Sequence, residues 1–138
     1  MFLNVLGQDN VWRKHVFGTV RDDHTRPLVA VDRTNAQLYM LASSPCCGGG
    51  PVYYKKSSLS NILFPSGLGT LFMQDASGRK VNNSTSTKQE LTPSSDFVVL
   101  ASNEDGKYYW HNELEIPGAG PPTRRRPIRR SARARSEP

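Results

Sequence analysis

The segment Asp22-Asp23-His24-Thr25-Arg26-Pro27 gathers the side chains of this sequence best suited to chemistry. The imidazole of His24 titrates near neutrality, which fits a general acid or base. The planar guanidinium of Arg26 offers a fork of donors that matches a carboxylate bidentately. Further along, in Ser86-Thr87-Lys88-Gln89, Lys88 supplies a compact cation and Gln89 an amide. Asp23, His24, Arg26, Lys88 and Gln89 are therefore the candidate ligand-binding residues, and His24 is the one weak catalytic candidate. Each has a plainer reading. Asp23 and Thr25 are ordinary turn residues that bond nearby backbone groups, and Arg26 beside Asp22 or Asp23 fits a structural ion pair. Two adjacent carboxylates do not make a site for a hard cation that takes six or more oxygens. No metal site and no cofactor is expected.

These residues need elements to hold them, and internal self-similarity indicates which. Leu38-Tyr39-Met40-Leu41-Ala42-Ser43 aligns with Phe97-Val98-Val99-Leu100-Ala101-Ser102 at a shift of 59 residues. A turn and a tyrosine pair follow each copy, Tyr53-Tyr54 and Tyr108-Tyr109. A short strand-like run precedes each, residues 27–32 and 88–92. Both copies are apolar runs too short for helices and lacking the alternation of a half-exposed strand, so they read as strands covered on both faces. Residues 11–17 add one strand of a preceding unit, and Leu71-Phe72-Met73 a short outer strand. Sheets covered on both faces and repeated along the chain suit a propeller, whose blades pack between neighbours. In a sandwich, one face of each sheet meets water. The aromatic residues Tyr53, Tyr54, Tyr108, Tyr109 and Trp110 read as packing between units, with sugar stacking as the sharper alternative.

The 138 residues fit one ordinary domain. Twenty-one Gly and Pro residues favour short elements and many turns. No apolar stretch is long enough for a membrane span, and the opening residues lack the basic start and unbroken apolar stretch of a signal peptide. The formal charge of +6 lies in the tail, where residues 123–138 hold seven Arg and one Glu. The rest is balanced. Beyond Pro117 the composition turns to Gly, Pro and Arg and reads as disordered. That tail binds polyanions at most by nonspecific charge, since it has no interleaved aromatics for stacking on bases. Cys46 and Cys47 are adjacent, a spacing that disfavours a bridge between them. Asn82 and Asn83 each begin an Asn-x-Ser/Thr glycosylation triplet.

Several strings together resemble the bacterial BNR-repeat, neuraminidase-like family of sialidase-like β-propellers. They are residues 22–27, Val52-Tyr53-Tyr54-Lys55-Lys56-Ser57-Ser58-Leu59, Pro65-Ser66-Gly67-Leu68-Gly69-Thr70, and Asn82-Asn83-Ser84-Thr85-Ser86-Thr87-Lys88-Gln89. The resemblance covers roughly residues 12–114. It implies an all-β partial propeller from the C-terminal side of an exported bacterial parent. That partial propeller comprises about two four-stranded antiparallel blades, residues 22–75 and 82–117, plus a strand of a third. The propeller part spans residues 1–117, and a disordered Pro/Arg-rich tail spans 118–138. Ligands of such propellers bind at the mouth of the central channel, just before the innermost strands, where residues 23–26 and 86–89 would lie. The sequence departs from the sialidase Asp-box, Ser-x-Asp-x-Gly-x-Thr-Trp, for which Ser102-x-Glu104-x-Gly106-x-Tyr108-Tyr109 is a degenerate echo.

The expected function is thus that of a piece of a carbohydrate-active propeller, of polysaccharide lyase or glycosidase type, inactive alone. Carbohydrate is the expected partner, acidic polysaccharide included. Eliminating across a uronic acid needs a neutralised carboxylate, a base and an acid, which Arg26, Lys88 and His24 resemble in kind. The competing reading is a non-catalytic carbohydrate-binding or protein-interaction module that self-associates through exposed blade faces, because two units leave two faces uncovered.

Overall fold

The computed structural model describes residues 1–46, 49–86, 90–92, 96–103 and 106–118. Ten strands account for its regular structure: β1 (Phe2–Leu6), β2 (Trp12–Val16), β3 (Thr25–Asp32), β4 (Gln37–Ser43), β5 (Val52–Ser58), β6 (Thr70–Met73), β7 (Asn82–Thr85), β8 (Glu90–Leu91), β9 (Phe97–Ser102) and β10 (Tyr109–Leu114). A single 3-10 turn, Val20–Asp22, precedes β3. The strands form three sheets: the hairpin β1-β2, the sheet β10-β9-β7, and the sheet β6-β5-β4-β3-β8. Strands β3 to β6 follow one another as an antiparallel meander, and β8 adds to the β3 edge in parallel. Among the described residues the protein is all-β.

Local chemistry explains the meander. The turn from β3 to β4 is closed by Asp32, whose Oδ1 accepts from the Asn35 backbone N–H at 3.1 Å and whose Oδ2 accepts from Asn35 Nδ2 at 2.7 Å. Such side-chain bonds compensate turn backbone that no ladder can satisfy. Strand β4 follows, buried from Leu38 through Ser43. Its large apolar residues each stabilise the fold by roughly 1.5–3 kcal/mol through loss of contact with water.

β4 divides two cores. Tyr39 and Leu41 join Ala30, Val52, Phe72 and Met73 against Phe97, Val99 and Ala101 of β9, with Val81, Leu91 and Ile116. Leu38, Met40 and Ala42 face the other way, onto Phe17 and Phe64, with Leu3 of the hairpin packed alongside. The hairpin, the five-stranded sheet and the three-stranded sheet are thus layers, and β4 lies covered on both sides as its unbroken apolar run implies.

Pairing registers show that consecutive layers repeat one another in detail. In β3, Thr25 pairs with Ser43 and Leu28 with Leu41, with a bulge between them. In β7, Asn82 pairs with Ser102 and Thr85 with Leu100, again with a bulge between. The second residue of each strand has positive φ, 52° at Arg26 and 48° at Asn83. Both strands thus bend at the same place by one left-handed residue, as strand bulges do. The third strands match as well. Ala42 pairs with Tyr53 and Ala101 with Trp110. Two positions further on, the Lys55 ammonium donates to the carbonyl of Phe17, and Asn112 Nδ2 donates to the carbonyl of Phe72. Phe17 follows the last strand of the hairpin, and Phe72 lies in the last strand of the meander.

Three expectations from sequence are corrected by these registers. The tyrosine pairs are not equivalent: Tyr53 and Tyr54 correspond to Trp110 and His111, while Tyr108, just before β10, and Tyr109, its first residue, lie exposed. The strand that opens the second unit is β7, not residues 88–92, because β7 pairs with β9 whereas β8 is captured by the β3 edge. Finally, β9 is not covered on both faces. Phe97, Val99 and Ala101 are buried, whereas Val98 is 40% and Leu100 47% exposed. The same apolar run is two-sided core in β4 and one-sided in β9, because only β4 has a layer on each side. The expected strands at residues 11–17 and 71–73 are present as β2 and β6. Strand β1 went unrecognised, its apolar residues being interrupted by Asn4.

Candidate functional site

The turn between hairpin and meander splits the candidate residues apart. Asp22 ends the 3-10 turn, and its Oδ2 accepts from the Thr19 backbone N–H at 2.7 Å and the Thr19 hydroxyl at 3.0 Å. Those bonds, the backbone one foremost, hold its carboxyl below the ordinary value. Asp23 takes the left-handed conformation at φ 48° and accepts from the Cys46 backbone N–H at 3.0 Å. Bonds from Cys46 likewise lower its pKa. Asp23 therefore pins the turn to the loop after β4.

His24 turns inward. Its ring lies 4.8 Å from that of Phe17, and its Nε2–H donates to the Leu68 carbonyl at 3.1 Å. That bond fixes the tautomer and leaves Nδ1 as a bare lone pair, buried without a partner. A Cβ at Gly18 would sit 2.4 Å from this nitrogen, so the glycine is what admits the ring. Burial is the main cause that lowers the His24 pKa. The neutral ring is the form that the fold accepts, and a protonated Nδ1 would have nothing to bond.

Arg26 behaves oppositely. It stands exposed on the β3 bulge and forms no ion pair with Asp22 or Asp23. The guanidinium is available to a ligand, but the inward-facing His24 ring does not share its surroundings. Lys88 and Gln89 lie outside the described residues, as do Cys47 and residues 119–138.

Sequence reasoning missed Lys55. It is 2% exposed, pairs with Met40 on the face of the meander that looks toward Phe17 and the hairpin, and places its ammonium 4.7 Å from the centroid of the Phe17 ring. Burial lowers its pKa, opposed by the Asp22 carboxylate. Alongside it opens a pocket of about 310 Å³ lined by Lys14, His15, Phe17, Asp22, Ile62 and Pro65, among others. His15 is fixed there by donating from Nδ1 to the Ile62 carbonyl at 2.8 Å. The available signal was a lysine in mid-strand, at a position whose neighbours on the same face are Tyr53 and Ser57.

Among the described residues His24 and Arg26 are not brought to one point, since the His24 ring is turned inward and Arg26 is exposed. The buried His24 nitrogen is closed off by Gly18 and Phe17, and the Oδ2 of Asp22 is engaged by Thr19. Among the described residues, no group of three or more His, Cys, Asp or Glu is placed to hold a metal ion. No described helix is long and apolar enough to cross a membrane. Comparison of the chain with family models, with curated proteins and with solved structures returned no match.

Proposed function

We propose that the chain is a binding module made of two successive blades of a propeller-type stack, with the β1-β2 hairpin as the outer half of a third. Its ligand class is carbohydrate with acidic groups. The single observation that supports the blade reading is the repeated bulge: Arg26 and Asn83 share one left-handed backbone position, on strands paired identically to β4 and β9. Strand-for-strand recurrence of this kind is what units related by rotation about a common axis produce.

In such a stack β3 and β7 open their units; β8 flanks β3 only at Val31 and Asp32, and the bulges at Arg26 and Asn83 lie away from that pairing, where a central channel would open. Arg26 then presents its guanidinium, and Asn83 its amide, at the same level of successive blades. A planar fork beside amide donors suits the carboxylate and hydroxyls of a uronic acid. The resemblance to sialidase-like propellers supports the same ligand class. With His24 closed off, the chain binds without cleaving.

Titration calorimetry with a polyuronate such as polygalacturonate, against neutral dextran, tests this. The polyuronate is expected to bind more tightly, and Arg26→Ala to weaken it by about tenfold, the scale of one charge-assisted contact. Equal affinity for both polymers, or an equal loss for both on substitution, contradicts the carboxylate-reading role.

A further inference from the structure

The stacking has a direction. Within the chain, the face of β4 that carries Tyr39 and Leu41 is covered by the face of β9 that carries Phe97, Val99 and Ala101. The opposite face of β4, with Leu38, Met40 and Ala42, is covered by Phe17, which directly follows the hairpin, and by Phe64, with Leu3 of the hairpin packed alongside. At the shift of 59 residues, Phe97, Val99 and Ala101 are the counterparts of Leu38, Met40 and Ala42. Each layer thus offers its forward face to the backward face of the next, the relation that generates head-to-tail assemblies.

That relation identifies the two ends. The forward face of the last layer holds Val98 and Leu100, the counterparts of buried Tyr39 and Leu41. Beside them on β10 stand Glu113 opposite Val98, His111 opposite Leu100, and Tyr109, 77% exposed, opposite Ser102. The backward face of the first layer is the outer side of the hairpin. It pairs Phe2 with Val16, Asn4 with Lys14, and Leu6 with Trp12. The four apolar residues of this set are all exposed, Trp12 by 67%. Lys14 crosses Phe2 with its ammonium 3.9 Å from the ring centroid, so this face carries a cation where the other carries Glu113. Apolar faces of this kind mark interaction surfaces.

We propose that the two faces dock on each other between copies: the outer side of the hairpin of one chain covers the β9-β10 face of a second copy, continuing the internal β4-to-β9 stack. The occupant is a second copy because this chain supplies both faces, in the same stacking sense and with opposite charge. The inference rests on registers and burial, and it stands whether or not the ligand is carbohydrate.

Sedimentation velocity on the full chain over about a hundredfold range of concentration tests it. Wild-type protein should associate with rising concentration and pass beyond a dimer, because a head-to-tail contact leaves a face free at each end. Trp12→Glu and Leu100→Glu each destroy one face and should each weaken association by about tenfold or more. Mixed in equal amounts, the two variants should form one-to-one dimers and nothing larger, since each retains the face that the other lacks. Leu6→Glu and Val98→Lys replace either variant should its circular dichroism melt show loss of folding. A wild-type chain that stays monomeric throughout overturns the proposal. So does a Trp12→Glu variant that self-associates like the wild type, which would mean that the β9 face pairs with itself, or a mixture that remains monomeric.

Discussion

Lys55 and Asn112 hold the same post in successive layers: each reaches from a third strand to the backbone carbonyl of a phenylalanine in the layer before, Phe17 and Phe72. Two side chains of different chemistry thus do one task, satisfying an acceptor that the neighbouring ladder leaves open. The task is set by how the layers stack, and the residue type is free to vary within it.

The two substitutions should therefore differ in a predictable way. Asn112→Leu leaves the Phe72 carbonyl without its donor, at a cost of about 1–3 kcal/mol. Lys55→Met strands the Phe17 carbonyl equally but also removes a buried ammonium, which offsets part of the loss. The smaller cost is expected for Lys55→Met, read by urea unfolding at neutral pH. Because the folded pKa of Lys55 lies below 10.5, the unfolded chain binds the extra proton between the two values. The wild type accordingly gains stability as pH rises through that interval, and Lys55→Met lacks the gain.

Neighbouring residues of β9 should separate cleanly. Phe97→Ala empties a fully buried site and is expected to cost about 3–5 kcal/mol. Leu100→Ala, three residues on and on the exposed face, should cost about 0.5 kcal/mol or less in dilute solution. Chemical denaturation of the two variants checks the ratio, and similar losses would mean that both faces of β9 are covered.

This contrast marks how far the sequence could be read. The apolar runs at 38–42 and 97–101 announce strands, and the break after Pro117 announces a change of character. Yet nothing within 97–101 distinguishes one covered face from two, because coverage belongs to the neighbouring layer rather than to the strand. The bulge was hidden for another reason. Arg26 and Asn83 share a backbone conformation and no side-chain chemistry, so identity matching paired the tyrosines instead and placed the opening strand of the second unit six residues too late. In the site, Asp23, His24 and Arg26 were legible as a cluster by proximity alone. Which of them turned inward depended on Gly18 and Leu68, remote contributors that only the folded chain brings near.

The left-handed positions make a matched pair of tests. A non-glycine residue at positive φ costs of order 1–2 kcal/mol, less for asparagine, whose short side chain tolerates it. Arg26→Gly should therefore stabilise the fold by roughly 0.5–1 kcal/mol, after the extra chain entropy of glycine is subtracted. Asn83→Gly should be close to neutral. Thermal unfolding measures both. Arg26→Gly should also lose polyuronate affinity while gaining stability, which separates a ligand role from a structural one.

His24 should make the fold sensitive to mild acid. Its folded pKa lies below 6.5, chiefly through burial. Between the folded value and 6.5 the unfolded chain binds more protons, so stability rises with pH and is lost on acidification through that window. His24→Gln keeps a donor for the Leu68 carbonyl without a titrating ring. Its unfolding free energy is expected to vary less from pH 6.5 downward than that of the wild type. Parallel curves for the two proteins would contradict the burial of an uncharged ring.

Methyl and aromatic cross-relaxation in NMR spectra tests the stacked registers most directly. Leu41 and Ala30 are predicted to show contacts to the group of Phe97, Val99 and Ala101, while Met40 and Leu38 show contacts to that of Phe17 and Phe64. Cross-peaks from Val98 or Leu100 to the Leu41 side in dilute protein, with none from Val99, would invert the β9 face and remove the repeated layering on which the account depends.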